Sequence, residues 1–143
     1  MRIRNATLED KDHIRELTNL LYLEMPEFVW NTDEYIIKQI ERGEYFVAEG
    51  NDTIVGIISF RVREGRMYIE TLAVVKEFQS NNVGTELIAF AKQRTKEKGI
   101  QVLRACAFYE YGNDGFYKKQ GFSLLEKPGV YKSRKFYRFE MGV

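Results

Sequence analysis

The chain has 143 residues, of which 44% are hydrophobic and 14% aromatic, so one compact domain can form a core without metals or disulfides. Its 22 Lys and Arg residues balance 21 Asp and Glu residues, which argues against a nucleic-acid or membrane-surface binder. One cysteine and one histidine exclude an internal disulfide and a Cys/His zinc cluster, so we expect no metal site. Because no apolar run approaches the ~20 residues of a membrane span and no signal peptide is recognisable, we expect a cytoplasmic protein.

The first third of the chain predicts one strand and two helices. Residues 2–6 alternate in polarity and predict a short strand. A helix is predicted over 7–25, with Thr7 or Asp10 as its cap and Pro26 at its end. Its apolar residues recur at helical spacing, namely Ile14, Leu17, Leu20 and Leu21. A loop at 26–31 leads to a second short helix at 32–43, which Gly43 closes.

The remaining residues predict a meander, a crossover and a final pair of strands. Turn signals divide 44–75 into three strands, and two further helices are closed by Gly99 and Gly121. The strand–helix–strand unit over 67–106 is a crossover, which makes its two strands parallel neighbours. We therefore predict an α+β fold for one domain over 1–143, with a mixed central sheet of about six to seven strands and about four helices. The later elements are predicted at 44–50, 52–64, 66–75, 83–98, 100–108, 113–120, 121–127 and 134–143.

The junction that leads into the third helix is polar but carries no acidic side chain. From Phe78 to Thr85 no Asp or Glu occurs, and Gly84 allows a ligand to approach the backbone. The first turn of a helix has N–H groups without internal partners and a positive dipole end, so it can bind an anion. The pattern predicts a phosphate or pyrophosphate cradle, with an ordinary capped helix as the alternative. The residues around this turn are small or carry amides: Ser80, Asn81, Asn82, Gly84 and Thr85.

Two segments place this helix in a larger pattern, "LAVVKEFQSNNVGTEL" (72–87) and "FYEYGNDGFYKKQGF" (108–122). The first resembles the acetyl-CoA motif of the GNAT N-acetyltransferase superfamily. The second resembles that family's second motif, and the opening residues 3–17 resemble its first strand and helix. The three marked positions of the first motif are occupied by Gln79, Asn82 and Gly84, and Tyr117, Gly121 and Phe122 match the second motif.

The resemblance implies acetyl-CoA as the cosubstrate and assigns residues to it. The backbone of the strand end would hold the pantetheine arm as an added strand would, and the helix start would hold the pyrophosphate. Asn82, Glu110 and Asn113 depart from the family's usual residues, although Asn tolerates left-handed backbone geometry. The implied cofactor-binding residues are Leu72, Ala73, Val74, Gln79, Ser80, Asn81, Asn82, Val83, Gly84, Thr85, Glu110, Asn113 and Phe116.

The resemblance also implies direct acetyl transfer to an amine, with Tyr117 as the general acid. A tyrosine near pKa ~10 protonates a thiolate near ~8.5 at a cost of roughly 2 kcal/mol. The alternative is a half-buried aromatic residue with its hydroxyl in water. A backbone N–H near Val74 would polarise the thioester carbonyl. Glu70 lies four residues before Val74 on the same strand face, so it is a candidate base, and Glu110 is a second one.

The acceptor is predicted from the segment 22–35, which the resemblance places on the substrate side. This segment has no Lys or Arg, and its carboxylates and aromatic rings would attract a cationic amine, either a small molecule or a peptide amine. The alternative is an acidic solvated loop. The candidate substrate residues are Tyr22, Glu24, Glu27 and Trp30, with Asp33 and Glu34 adding charge.

Three further interpretations stay open at the level of sequence. A non-catalytic CoA-binding module would also carry the two motifs. The basic and aromatic residues 132–139 suggest nucleic-acid contact, although alternation on an edge strand explains them more simply, so we expect no nucleic-acid partner and no membrane partner. A homodimer is one option for assembly. Cys106 is expected to be a buried core thiol.

Overall fold

The computed structural model describes residues 1–143 and has the predicted order of elements with one added strand. The added strand is β7, which forms a hairpin with β8 through a two-residue turn at Lys132 and Ser133, both with positive φ. None of the helices is long and apolar enough to cross a membrane. The strands are β1 (Arg2–Asn5), β2 (Tyr45–Gly50), β3 (Thr53–Arg63), β4 (Arg66–Val74), β5 (Val102–Phe108), β6 (Ser123–Leu124), β7 (Gly129–Tyr131) and β8 (Arg134–Gly142), and the helices are α1 (Lys11–Asn19), α2 (Asp33–Glu41), α3 (Val83–Glu97) and α4 (Asp114–Lys119).

The strands form one mixed sheet, as the α+β prediction requires. Their order is β1-β2-β3-β4-β5-β8-β6, with β7 paired to β8. β4 and β5 pair in parallel over Met67–Ile69 and Leu103–Ala105, which confirms the predicted crossover through α3. β1 with β2, β2 with β3, and β5 with β8 pair antiparallel.

The first helix ends earlier than the sequence pattern predicts. A short 3-10 turn at Leu8–Asp10 precedes α1, and α1 ends at Asn19 rather than at Pro26. Ile14 and Leu17 are buried as expected, but Leu20 is 63% exposed. The apolar residues beyond the helix pack locally instead, since the ring of Tyr22 contacts Phe28 edge-on with centroids 5.2 Å apart. Tertiary contacts in the loop therefore override the helical spacing.

The chain divides into two compact units, which are described separately. The first contains Met1–Phe60 and Thr71–Leu87. Its core is apolar and includes Ile14, Ile36 and Tyr45. Gly56 on β3 lies close to the first turns of α3, because a Cβ atom at Gly56 would lie 2.9 Å from Val83 Cγ1 and 3.1 Å from Leu87 Cδ1. The missing side chain at this position sets how closely the start of α3 approaches the strand.

The second unit contains Arg61–Glu70 and Ile88–Val143. β5 pairs with β8 along its whole length, from Val102 opposite Gly142 to Phe108 opposite Phe136. α4 packs on this layer through Tyr117, whose ring stacks on Phe139 with centroids 4.9 Å apart. The aromatic contacts fix α4 against β8 without any disulfide or metal.

Gly56→Ala should destabilise the protein by about 1–3 kcal/mol, because the stiff Val83 side chain must move to admit the methyl group. Gly50→Ala is the matched control, since its Cβ would meet Val55 at an ordinary 3.6 Å. Urea unfolding of the two variants and the parent measures the effect. Equal free energies of unfolding for the two variants would contradict the close packing of α3 on β3.

Candidate active site

The chain between β4 and α3 makes a compact turn with one left-handed residue. A 3-10 turn at Lys76–Phe78 follows the strand, and the N–H of Asn81 donates to the carbonyl of Phe78 at 3.1 Å. Asn82 has φ 62°, which asparagine tolerates better than other residues with a side chain. The departure from the family's glycine is therefore compatible with the turn.

The first turn of α3 faces solvent with its amide groups at the positive end of the helix. The first helical hydrogen bond of α3 runs from the Glu86 N–H to the Asn82 carbonyl oxygen at 3.0 Å. The N–H groups of Val83 and Gly84 lie before this bond, at the end of the helix where amides have no helical partner. Ser80, Asn81, Asn82 and Thr85 are exposed, whereas Val83 is buried. Glu86 is the first carboxylate of the helix. This surface has the properties of an anion site.

The end of β4 is tied to this turn by a side chain. Gln79 Nε2 donates a hydrogen bond to the Val74 carbonyl oxygen at 3.1 Å. Ala73 is buried, whereas Leu72 and Val74 are half-buried. The parallel pairing of β4 with β5 extends only to Ile69, so Leu72, Ala73 and Val74 lie beyond it. The Gln79 side chain therefore holds the end of β4 against the turn. The residues Ser80, Asn81 and Asn82 that follow it are exposed.

Three predicted residues lie in α4 or in the turn before it, and each has a different environment. Glu110 accepts a hydrogen bond from Arg134 Nη1 at 2.6 Å. A backbone hydrogen bond at Glu110 and then Arg134 hold the pKa of this carboxyl below its usual value, which makes Glu110 a poorer base. Asn113 caps α4, and its buried Oδ1 has no hydrogen-bond partner. Phe116 is half-buried and contacts Tyr117 edge-on at 5.2 Å.

Tyr117 is buried, with 4% of its surface exposed, so the alternative of a half-buried ring with a wet hydroxyl is wrong. It stacks on Phe139, and Phe122 lies edge-on at 5.7 Å. Burial raises the pKa of Tyr117 far above its ordinary value near 10, because a tyrosinate there would lose its hydration. Proton donation from this hydroxyl is therefore more uphill than the sequence alone indicates.

Glu70 lies on β4 between two arginines. Its carboxylate is 3.3 Å from Arg63 Nη2 and 3.9 Å from Arg61 Nε, and only 13% of its side chain is exposed. Glu70 shares the half-buried register of β4 with Val74, as the strand period predicts. These ion pairs fix the orientation of the Glu70 carboxylate. They give Glu70 a structural role beside the catalytic one that the sequence predicts.

A cavity of about 240 Å³ opens beside Glu70, and sequence reasoning missed it. We call it the arginine cavity. Cys106 lines it and is exposed, so the prediction of a buried core thiol is wrong. The only signal in the sequence is the alternation of arginines on separate strands. The residues that define the arginine cavity are Arg63, Tyr68, Arg104, Cys106, Phe136 and Arg138.

The predicted substrate segment forms an aromatic cluster with acidic neighbours. Tyr22 and Trp30 contact the buried Phe28 edge-on, with centroids 5.2 and 5.0 Å away. Glu24 and Glu27 are exposed, and Glu27 has φ 57°.

Asp33, at the end of this segment, is paired by two cations of α1. Arg15 donates to its carboxylate, and Lys11 Nζ lies 3.7 Å from it. The negative charge that remains for a ligand is therefore smaller than the segment alone indicates.

The predicted residues fall into two groups. The first unit contains the substrate segment with Tyr22, Glu24, Glu27 and Trp30, and it also contains the strand end 72–74 and the turn 79–85. The second unit contains Glu70, Glu110, Asn113, Phe116 and Tyr117. Direct contacts link Gln79 with Val74 in the first unit and Phe116 with Tyr117 in the second.

Comparison with known proteins gives consistent matches in sequence and in fold. An uncharacterized N-acetyltransferase of Chlorobaculum tepidum is 27% identical over 126 residues, which cover 87% of this chain and 77% of that protein. Ard1 from Thermoplasma volcanium has a TM-score of 0.84 at 21% identity, covering 99% of this chain and 97% of the other. The PaiA N-acetyltransferase from Thermoplasma acidophilum, solved in complex with coenzyme A, has a TM-score of 0.77 at 20% identity over 96% of each chain.

The solved structures agree with the fold, and the family assignment comes from the sequence. The profile of the acetyltransferase (GNAT) family matches residues 13–122, which is most of the chain. The chain therefore belongs to the GNAT family and is an N-acetyltransferase.

Proposed function

We propose that residues 1–143 form a single domain that transfers an acetyl group from acetyl-CoA directly to a primary amine in a ternary complex in the cytoplasm. The observation that carries this proposal is the exposed start of α3, where Asn82 is left-handed and the amides of Val83 and Gly84 precede the first helical hydrogen bond. A pyrophosphate fits such a site by charge and by hydrogen bonding. Asn113 Oδ1, buried without a partner, can accept a hydrogen bond from an amide of the pantetheine arm.

The reaction needs three groups from the chain. The amine nitrogen attacks the thioester carbon, so a C–N bond forms and the C–S bond breaks. The N–H of Val74 would polarise the carbonyl oxygen, as a donor in an oxyanion hole does. Tyr117 would donate its proton to the departing thiolate, and Glu70, directly or through water, would take the proton of the amine. Family membership favours this catalytic role over a CoA-binding module without activity.

The acceptor in this proposal is a cationic amine, either a small molecule or the amine of a peptide. Exposed Glu24 and Glu27 next to the rings of Tyr22 and Trp30 support it, since carboxylates and aromatic faces both attract ammonium groups. A screen of polyamines, aminosugars and peptide N-termini by release of free CoA thiol would identify the acceptor class.

Gly84→Glu should abolish CoA binding, because it adds bulk and a negative charge where the pyrophosphate would lie. Gly142→Glu is the matched control, since it adds the same charge at an exposed glycine with open space around its Cβ position. Calorimetric titration of CoA into both variants measures the effect. Parent-like affinity in Gly84→Glu would refute this position for the pyrophosphate.

Tyr117→Phe should lower kcat by roughly 100-fold or more with little change in CoA affinity, as expected for loss of a general acid. Tyr109→Phe, which removes a hydroxyl from an exposed tyrosine, should keep parental turnover. Because burial raises the pKa of Tyr117, the hydroxyl stays protonated up to at least about pH 10, and its ionisation should not depress kcat below that pH. A kcat for Tyr117→Phe within about a factor of two of the parent would assign Tyr117 to packing alone.

Glu24→Gln combined with Glu27→Gln should raise KM for a cationic acceptor several-fold and leave KM for acetyl-CoA unchanged. Asp33 stays native in this variant because it is paired with Arg15 and Lys11. The control is Glu97→Gln with Glu126→Gln, which makes the same charge change at two other exposed positions. If the parent prefers acceptors that carry no ammonium group, the cationic-acceptor proposal fails.

A further inference from the structure

The arginine cavity is built from four adjacent strands, β3, β4, β5 and β8, three of which carry an arginine. Tyr68 on β4 is in register with Arg104 on β5, and Cys106 on β5 is opposite Arg138 on β8. Arg63 at the end of β3 reaches the same cavity and lies over the Tyr68 ring at 4.5 Å. Neighbouring strands therefore bring three guanidinium groups to one opening.

Two of these guanidinium groups already have carboxylate partners, and the third does not. Arg63 pairs with Glu70, and Arg104 pairs with Glu140 at 2.7 Å. Arg138 donates only a long hydrogen bond of 3.4 Å to the Lys127 carbonyl oxygen. Arg138 is thus the cation that can receive an outside anion without breaking an ion pair.

The cavity wall also contains the carboxylate Glu64, and the rest of it is apolar or neutral. The Phe136 ring is packed against Gly129, where a Cβ atom would lie 2.0 Å from Phe136 Cζ, so its position is fixed. Although Cys106 is exposed, the protein atoms around its sulfur partly desolvate it and raise the pKa of the thiol, against the charges of Arg138, Arg63 and Arg104, so the thiol is neutral at physiological pH. A neutral thiol does not compensate the positive charge of Arg138.

The size and charge of the cavity select a small carboxylate. A planar carboxylate matches the fork of a guanidinium and forms two parallel hydrogen bonds with it. About 240 Å³ is less than the usual volume of a site for a drug-sized ligand, which favours a small ligand. Arg63, which lines the cavity, links it to the candidate base Glu70 through an ion pair of 3.3 Å.

We propose that the arginine cavity binds the carboxylate of an acceptor that carries both an amine and a carboxylate, such as an amino acid or a short peptide. Arg138 is the specificity-determining residue, and the amine of the same molecule lies toward Glu70. This inference rests on the proposed amine acetylation. Such an acceptor still carries the ammonium group that the proposed function requires.

The first experiment is kinetic and compares amino acids with their carboxamides as acceptors. Arg138→Ala should lower the ratio of kcat/KM for the acid to that for the carboxamide by about 10- to 100-fold, the range for loss of a charged hydrogen bond. The loss should lie in KM of the acid, with kcat and the carboxamide unaffected. Arg138→Lys should retain part of the preference, because it keeps the charge but loses the fork.

The matched control is Lys135→Ala, which removes an exposed cation from the same strand outside the cavity. It should keep the parental ratio. Comparing variants cancels the difference in amine basicity between an acid and its amide. An unchanged ratio in Arg138→Ala, or an equal loss for both acceptors, would overturn the carboxylate site.

The second experiment needs no turnover and separates this inference from the proposed function. N-acetylglycine and N-acetylglycinamide are titrated into the parent and Arg138→Ala, and binding is followed by NMR shifts of β5 and β8 amides. Preference of the parent for the charged ligand, lost in Arg138→Ala, supports the site even if no amine is acetylated. Equal responses to the two ligands in the parent refute it even if amines are acetylated.

Discussion

The amide groups in the first turn of α3 are the constraint on which this site depends. Backbone N–H groups at a helix start need partners, and here the chain supplies no side-chain carboxylate between Glu77 and Glu86. Gly56 permits the close approach of Val83 and Leu87 to β3, and Gln79 ties the turn to the end of β4. Left-handed Asn82 completes the turn. An anion is the natural partner for such a surface, and acetyl-CoA carries a suitable one.

The local sequence pattern is sufficient where a single element determines the outcome. The crossover from β4 through α3 to β5, the cap of α2 at Thr32 and the glycines that close the helices follow from spacing and turn residues. The pattern fails where contacts between distant residues decide. Helix α1 stops at Asn19, and the residues after it pack within the loop, where the Tyr22 ring contacts Phe28 edge-on. The β7–β8 hairpin was missed because Lys132 and Ser133 are unusual residues for its turn.

The chemistry of the site shows the same division. The sequence could name Tyr117 and Glu70, but it could not show that burial makes Tyr117 a weaker acid or that Arg61 and Arg63 hold Glu70. The arginine cavity depends on strand register, which places Cys106 opposite Arg138 although they are distant in the chain. Cys106 is a small apolar-type residue by composition, and only its place in the sheet makes it exposed.

Backbone NMR during titration with CoA tests the central claim most directly. The largest amide shifts should occur from Ser80 to Thr85, and pantetheine, which lacks the pyrophosphate, should leave the amides of Val83 and Gly84 unmoved. That pair of results would locate the pyrophosphate at the start of α3. Saturating CoA without shifts at these amides, or equal shifts with pantetheine, would contradict the claim.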